Sequence, residues 1–338
     1  MIILAIETSC DETSAAVLKS TRGHLELLSN IVSSQINIHK KYGGVVPEVA
    51  ARHHIKNVLP VIMEALATAK IKPADIDLIA ATAGPGLSTS LIIGLETAKA
   101  LSFAWGKPLL PINHMYGHIA ANFLNGDVKF PAICLVVSGG HTEIIYLKNY
   151  WQFKKLGQTV DDAAGEAFDK VAKLLGLGYP GGPIVSKMAL TGDGDKYDFP
   201  RPMMQANNFD FSFSGLKTAV LYQSKKENLK WEPTVCDFCA SFEKAAVEVL
   251  VRKTIRAAKK MKAKTVIMAG GVAANKKLRG VLEDTAKDNG FEFLVPEFKM
   301  CTDNAAMIAI AAYYLSQKKK VKLDNYKTAK SDPNWELL

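Results

Sequence analysis

The stretch IILAIETSCDETSAAVLK (residues 2–19) predicts a strand, a short polar turn and a second strand. An apolar run bounded by polar residues is typical of a buried strand. The turn ETSCDET (residues 7–13) carries backbone amides and hydroxyls that can face a phosphate. The pattern returns in AICLVVSGGHTEIIYL (residues 132–147), where SGGH forms the turn. We interpret the second stretch as a diverged duplicate, which predicts two α/β lobes facing each other across a cleft.

The duplication predicts a division into residues 1–125 and residues 126–338, with the C-terminal helix and tail able to pack back on the first lobe. A chain of 338 residues has room for two domains of about 100–200 residues each. Further glycine-rich turns, TAGPGL (82–87) and AGGVAAN (269–275), each follow a predicted strand and precede a predicted helix. Glycines allow close backbone approach, and helix N-termini attract phosphates. The turns together predict a nucleotide site.

The stretch NHMYGH (residues 113–118) contains two histidines four residues apart. Because residues at this spacing share one face of a helix, both imidazoles can reach a single cation. Asp303, in CTDNAAM (residues 301–307), is the candidate for a third ligand. Two nitrogens and one carboxylate would leave coordination positions open, as a catalytic metal requires. The alternative is a surface or capping histidine pair, and the glycine-rich turns favour the metal.

The net charge of +9 is unevenly distributed. Residues 244–279 contain eleven lysines and arginines and a single acidic residue, Glu248. Such a stretch attracts polyanions with a salt-dependent affinity, although a solvated helix face has the same composition.

Other classes of protein are disfavoured. No apolar run reaches about 18 residues, so no membrane span is predicted. The N-terminus has neither a signal peptide nor a transit segment, which predicts a cytoplasmic protein. Five scattered cysteines do not form a disulfide framework, and the pair Cys236 and Cys239 has no second pair to complete a zinc site.

Ten motifs carry a family resemblance and occur in the expected order: IETSCDET, YGGVVPEVAARHH, TAGPGL, NHMYGH, VSGGHT, DDAAGEAFDK, YPGGP, FSFSGLKT, MAGGVAANKKLR and CTDNAAM. Over nearly its whole length the chain resembles the catalytic subunit of tRNA threonylcarbamoyladenosine synthase, the family called TsaD in bacteria. It is most similar to the bacterial and mitochondrial branch. The resemblance implies the α/β fold of actin-like ATPases, sugar kinases and Hsp70 (the ASKHA fold), with duplicated βββαβα cores.

The resemblance also implies an acyl transfer. The threonylcarbamoyl group would pass from threonylcarbamoyl-AMP to N6 of adenosine 37 in tRNAs that read ANN codons, with AMP released. His114, His118 and Asp303 match the family's metal ligands, with Fe²⁺ expected and Zn²⁺ as the alternative. The positions that match substrate-binding residues are Val137, Ser138, Gly139, Gly140, His141, Asp169, Gly182 and Asn275. The candidate catalytic groups are Asp11, Glu12 and His141, and either Asp11 or His141 could accept the amine proton.

Partners and rival functions follow from the same resemblance. Bacterial members act on tRNA together with an inactive ASKHA-fold paralogue (TsaB-like) and a small P-loop ATPase (TsaE-like), whereas the mitochondrial branch acts as a homodimer. The rivals are a metal-dependent glycoprotein endopeptidase, a small-molecule kinase of the same fold and a non-catalytic scaffold. HMYGH lacks the glutamate of the H-E-x-x-H motif, which disfavours the endopeptidase. The intact metal-binding residues disfavour the scaffold, and ATP consumption would identify a kinase.

Overall fold

The computed structural model describes residues 1–124, 128–227, 231–318 and 321–337. Two compact units are distinguished: the first comprises Met1–Asp127 and Thr302–Leu338, and the second comprises Val128–Cys301. The division predicted between residues 125 and 126 lies outside the described residues. The predicted division assigns Thr302–Leu338 to the second lobe and allows this segment to pack on the first, and in the structure these residues belong to the first unit.

In each unit of the described chain, three consecutive strands are followed by helices and by two further strands. The strands are β1 (Ile2–Glu7), β2 (Glu12–Thr21), β3 (His24–Ser34), β4 (Leu78–Gly84), β5 (Leu109–Asn113), β6 (Ala132–Val137), β7 (Thr142–Asn149), β8 (Gln152–Gln158), β9 (Thr265–Ala269) and β10 (Glu292–Leu294). The helices are α1 (Ile36–His39), α2 (Pro47–Ala69), α3 (Ser88–Trp105), α4 (His114–Ala120), α5 (Ala164–Leu174), α6 (Gly181–Ala189), α7 (Ser214–Ser224), α8 (Glu232–Lys260), α9 (Lys276–Asp288) and α10 (Ala305–Lys318).

The first unit is built on a five-stranded sheet with the order β3-β2-β1-β4-β5. The outer hairpin is antiparallel, whereas β1, β4 and β5 run parallel. Leu4 and Ile6 of the central strand pack in one core with Val58 and Ile62 of α2. The helix α2 begins with Pro47, whose fixed φ suits the first helical position, and α3 ends before Gly106 in the left-handed conformation. The helix α10 lies against β1, β2 and α4.

The second unit repeats the same plan. Its sheet has the order β8-β7-β6-β9-β10, which matches the first sheet strand for strand in chain order. Here too the first three strands form antiparallel pairs, and the last two are parallel to the central strand. The duplication predicted from residues 2–19 and 132–147 is therefore confirmed, together with the βββαβα cores that the resemblance implies. Each central strand ends at a polar turn.

Within the described segments, no helix combines the length and the apolar character needed to cross a lipid bilayer.

Candidate functional site

The two histidines of NHMYGH lie on the short helix α4 at the end of β5. The side chain of Asn113 caps this helix by accepting a hydrogen bond from the amide of Tyr116. The rings of His114 and His118 meet edge to face with their centroids 4.6 Å apart. Both side chains are buried. The helix therefore directs two imidazoles to one place, as their spacing predicts.

Asp303 belongs to the same unit and lies just before α10. Its Oδ1 lies 3.5 Å from Nε2 of His114 and 3.1 Å from Nε2 of His118. One ligand atom from each of the three residues falls within 4.8 Å of the others, so the group can hold a metal ion. Two histidines and one carboxylate with open positions form a donor set typical of non-haem iron sites, and zinc accepts the same donors.

The three side chains also perturb one another electrostatically. Burial alone would raise the pKa of Asp303, but the nearby charges and hydrogen bonds of His114 and His118 outweigh it and hold that pKa below its usual range. Burial disfavours the charged form of His114, yet Asp303 and Glu7 raise its pKa well above the ordinary value. A site with this much negative charge around the imidazoles favours a bound cation.

Glu7 is a functional candidate that sequence analysis missed. Its Oε2 lies 3.1 Å from Nδ1 of His114, and the same carboxylate accepts hydrogen bonds from the Ser9 amide and the Thr82 hydroxyl. The Ser9 hydroxyl is also 3.1 Å from Nδ1. A carboxylate that is hydrogen-bonded to one ring nitrogen of a histidine fixes the orientation of the ring, so that the other nitrogen can bind a metal ion. The available signal was a glutamate at the end of an otherwise apolar strand.

A second missed residue, His54, is fully buried beneath the turn between β1 and β2. Its Nδ1 lies 2.8 Å from the Thr13 hydroxyl, and its Nε2 lies 2.9 Å from the carbonyl oxygen of Cys10. Burial lowers the pKa of His54, which favours a neutral ring. The ring therefore acts as a fixed bridge that holds the turn.

The acidic candidates Asp11 and Glu12 lie on that turn, and both are buried. Glu12 accepts a hydrogen bond of 3.0 Å from the Ser34 hydroxyl. Burial, followed by the negative charges of Asp303 and Asp11, raises the pKa of Glu12 to about 10. These two acids belong to the same unit as the three metal-site side chains.

The predicted substrate loop follows Val137 in the second unit and forms a tight turn. The amide of Ser138 donates to the His141 carbonyl at 2.8 Å, and the His141 amide donates to the Ser138 hydroxyl at 3.1 Å. A Cβ atom at either Gly139 or Gly140 would meet nothing within 4 Å, so these glycines border open space. The turn therefore leaves room for a ligand beside its backbone.

Two other glycines bring neighbouring backbone against this turn. Gly270, at φ +90°, lies so close that a Cβ atom would be 2.4 Å from the Val137 carbonyl oxygen. Gly165, in the first turn of α5, donates its amide to the Ser138 carbonyl at 3.2 Å. A Cβ atom there would lie 2.6 Å from the Ser138 oxygen. Only glycine permits both approaches, and the second brings the N-terminal end of α5 to the turn.

Asp169 and Gly182 are brought together at the start of α6. The carboxylate of Asp169 accepts a hydrogen bond of 2.7 Å from the Gly181 amide and another from the Gly182 amide. Burial nevertheless raises the pKa of Asp169, because it outweighs these two hydrogen bonds. The side chain expected to contact the adenylate thus serves here as a bridge between α5 and α6.

Asn275 caps α9 by accepting a hydrogen bond of 2.8 Å from the Leu278 amide. Its Nδ2 donates to the Ser186 hydroxyl at 2.8 Å and to the Glu243 carboxylate at 2.7 Å. The side chain therefore joins the start of α9 to α6 and α8. The asparagine was predicted from the sequence, whereas Ser186 and Glu243 were not.

The basic stretch of residues 244–279 is divided by the fold. Lys244 pairs with Asp195, and Arg279 donates to carbonyl oxygens of Ala273 and Pro296. Lys253 is fully buried. The exposed members are Arg252, Lys259, Lys260, Lys262, Lys264, Lys276 and Lys277. Only part of the charge counted in the sequence is therefore available to an external polyanion.

Comparison with known proteins gives a family match and close relatives. A family model described as TsaD, tRNA N6-adenosine threonylcarbamoyltransferase, matches residues 26–310. The chain is 51% identical over 338 residues to the tRNA N6-adenosine threonylcarbamoyltransferase of Thermosipho africanus, covering 100% of both chains. It is 50% identical over 319 residues to the protein of the same name from Staphylococcus aureus, covering 94% of this chain and 92% of the other.

Solved structures of more distant proteins share the fold. HypF from T. kodakarensis superposes with a TM-score of 0.63 at 18% identity, covering 93% of this chain and 47% of that one. Component A of the (R)-2-hydroxyglutaryl-CoA dehydratase of Acidaminococcus fermentans gives a TM-score of 0.53 at 18% identity, covering 94% and 99%. At these identities the likeness concerns the fold alone, and it confirms the predicted ASKHA class.

Proposed function

Because the chain belongs to the TsaD family of tRNA N6-adenosine threonylcarbamoyltransferases, we propose that it makes the N6-threonylcarbamoyl group of adenosine 37 in tRNAs that read ANN codons. The donor would be threonylcarbamoyl-AMP, and AMP would leave. The observation that carries the proposal is that one ligand atom each from His114, His118 and Asp303 lies within 4.8 Å of the others. The chain also matches the Thermosipho africanus relative over the full length of both proteins.

We propose Fe²⁺ as the resident ion, held by His114, His118 and Asp303, with Zn²⁺ as the alternative. The two-histidine, one-carboxylate donor set supports this choice, because it suits non-haem iron and leaves coordination positions open. When bound, a divalent cation of this kind supplies a Lewis acid that can polarise oxygens of the acyl donor. Elemental analysis of protein purified under anaerobic conditions, without added metal, would distinguish iron from zinc.

We assign adenylate binding to the second unit. Gly139 and Gly140 would bind phosphate oxygens through their amides, since both border open space and the start of α5 lies beside them. Val137, Ser138 and His141 complete this turn. The remaining members of the proposed set are Asp169, Gly182 and Asn275, which hold the start of α6 and the start of α9 in place.

The adenine amine is a poor nucleophile and must lose a proton during the transfer. We propose Asp11 or His141 as the acceptor of that proton, since a carboxylate or an imidazole within hydrogen-bond reach of the amine can serve as a general base. Glu12 is the third candidate and lies beside Asp11. Separate replacement of Asp11 by Asn and of His141 by Gln should distinguish them, because only loss of the true base lowers kcat at saturating substrates.

We propose that the chain assembles either with an inactive ASKHA-fold paralogue, assisted by a small P-loop ATPase, or with a second copy of itself. In support, α2 exposes Ile55, Leu59 and Met63, which are 65%, 53% and 70% accessible and follow one another at four-residue spacing. Light scattering of the purified chain, alone and mixed with each partner, decides between these arrangements.

The decisive experiment supplies threonylcarbamoyl-AMP and unmodified tRNA to the purified protein, with and without partner subunits, and measures the modified nucleoside. We expect product and AMP in equal amounts. His114→Ala and Asp303→Ala should abolish the product, whereas His24→Ala, at an exposed histidine of the same unit, should not. Full activity of the two metal-site variants after metal removal would refute the assigned site. Absence of product from the unaltered protein in every mixture would refute the function.

A further inference from the structure

Lys253 is a fully buried lysine on α8 with no role in the proposed chemistry. Its ammonium donates to the carbonyl oxygen of Asp210 at 2.5 Å and to that of Asn208 at 3.5 Å, and it lies 5.8 Å from the centre of the Phe211 ring. Burying a charge is costly, and an apolar side chain of similar length would fill the same space without that cost. The charge therefore needs an explanation.

Two further cations of α8 contact the same loop. Arg256 donates to the carbonyl oxygen of Asn208, and its guanidinium lies 5.3 Å from the centre of the Phe209 ring. The ammonium of Lys260 lies 5.5 Å from the same ring. These residues follow Lys253 by three and seven positions, so all three project from one face of α8. We call Lys253, Arg256 and Lys260 the cationic clasp.

The loop held by the clasp is joined to the end of β8. The amide of Phe211 donates to the Gln158 carbonyl, and the amide of Val160 donates to the Phe211 carbonyl, each at 2.9 Å. Gly157 allows the loop to lie directly on the strand, because a Cβ atom there would be 2.3 Å from the carbonyl carbon of Phe209. A shift of the loop would therefore move the end of β8.

From β8 the contacts continue through a turn to the start of α5. The carboxylate of Asp161 accepts hydrogen bonds from the Ser212 hydroxyl at 2.5 Å and the Phe213 amide at 2.8 Å. The Thr159 amide donates to the Thr142 carbonyl, and the Thr142 hydroxyl accepts from the Ala164 amide, both at 2.8 Å. The next residue of α5, Gly165, donates to the Ser138 carbonyl. This chain of contacts therefore ends at the Ser138–His141 turn.

We propose that the cationic clasp positions the Ser138–His141 turn for adenylate binding, by fixing the loop of residues 208–211 and with it the start of α5. Lys253, Arg256 and Lys260 are then positioning residues that touch neither substrate nor tRNA. This inference rests on the proposed function, because it names the adenylate as the ligand of the turn. It also reassigns Arg256 and Lys260, which composition alone counts with a polyanion-binding surface.

The test compares Lys253→Met and Lys260→Met with Lys259→Met, at an exposed neighbour on the same helix. Steady-state kinetics are measured against threonylcarbamoyl-AMP at saturating tRNA, and tRNA binding is measured as a function of salt. We expect Lys253→Met to raise KM for the adenylate about tenfold, equivalent to about 1.4 kcal/mol, with kcat unchanged. Lys260→Met should raise it less, and Lys259→Met should leave it unchanged. The salt dependence of tRNA binding should be unaltered in Lys260→Met.

Hydrogen exchange supplies a readout that does not depend on activity. Amides of residues 138–142 and 208–214 should exchange faster in Lys253→Met and Lys260→Met than in Lys259→Met. If neither clasp variant changes the adenylate KM, or if Lys260→Met weakens the salt dependence of tRNA binding, the inference is overturned. Should the unaltered protein make no product, the proposed function fails, and the exchange at residues 138–142 still decides whether the clasp holds the turn. Lys260 is exposed, so its variant remains informative if Lys253→Met does not fold.

Discussion

Glu7 and His114 form a buried carboxylate–imidazole pair, with Oε2 of the acid 3.1 Å from Nδ1 of the ring. Nε2 of the same ring faces Asp303. Burial raises the pKa of Glu7, but the charge of His114 outweighs it and keeps the carboxylate ionised. The pair therefore orients the imidazole whose other nitrogen would bind the metal.

Glu7→Gln should weaken metal binding about 10–100-fold, the usual effect of losing a partner that orients a ligand. The change retains the size of the side chain and removes its charge. Competition with a chelator of known affinity measures the effect, and Glu26→Gln, at an exposed position of β3, is the matched control. Equal metal affinity in both variants would show that His114 does not need this carboxylate.

Gly165→Ala should destabilise the protein by about 1–3 kcal/mol, since the added methyl group would lie 2.6 Å from the Ser138 carbonyl oxygen. Gly280→Ala is the control, because a Cβ atom there meets nothing within 4 Å in the interior of α9. That change should raise stability by about 0.5–1 kcal/mol. Urea unfolding of both variants measures the difference. A Gly165→Ala protein as stable as the unaltered one would mean that the Ser138–His141 turn can move to accept the methyl group at little cost in free energy.

Arg252→Glu and Lys262→Glu should weaken tRNA binding and lower its salt slope by about one unit for each phosphate that the protein no longer neutralises. Both side chains are exposed, Arg252 on α8 and Lys262 just after its end, and both lie outside the cationic clasp. Binding is measured between low and moderate salt, with Lys56→Glu on α2 as a control of the same charge change. An equal effect of all three changes would indicate a response to net charge and not a specific tRNA surface.

The stability of the protein should depend on pH through Lys253. Burial, followed by the charge of Arg256, lowers the pKa of Lys253 to about 8, although the Asp210 charge opposes this shift. Between pH 8 and about 10.5 the unfolded lysine binds a proton that the folded one does not, so stability rises with pH. Below pH 8 both states are protonated and the dependence disappears.

Lys253→Met should remove this contribution. The unfolding free energy of the unaltered protein, relative to that of the variant, should therefore increase between pH 8 and pH 10. Urea titrations at several pH values measure it, with Lys259→Met as the control. A difference that stays constant across this range would mean that Lys253 keeps its ordinary pKa.

Much of the fold could be predicted because it depends on short-range patterns. The apolar runs around residues 2–6 and 132–137 predicted the two central strands, and their shared polar turns predicted the duplication. The spacing of His114 and His118 placed both on one face of a helix, which α4 bears out. Hydrogen bonds between side chains remote in sequence could not be predicted in this way: Glu7 is 107 positions from His114, and Asn275 is 32 from Glu243.

The basic stretch of residues 244–279 shows that composition does not predict which cations are exposed. Composition gave every cation in residues 244–279 equal weight, whereas the structure buries Lys253, pairs Lys244 and leaves Lys259 exposed. Asp169 is similar, since its neighbours in sequence do not reveal that its carboxylate accepts amides at the start of α6.

By itself, the sequence determined the two central strands, the shared helical face of His114 and His118, the duplicated plan and the family, because each follows from residue types at neighbouring or regularly spaced positions. Only the tertiary structure decided the contacts that the sequence did not predict: Glu7 with His114, Asn275 with Glu243, and Lys253 with the loop at residue 210. The physical reason is that such contacts join segments far apart in the chain. Their geometry is set by how sheets and helices pack, which local patterning does not specify.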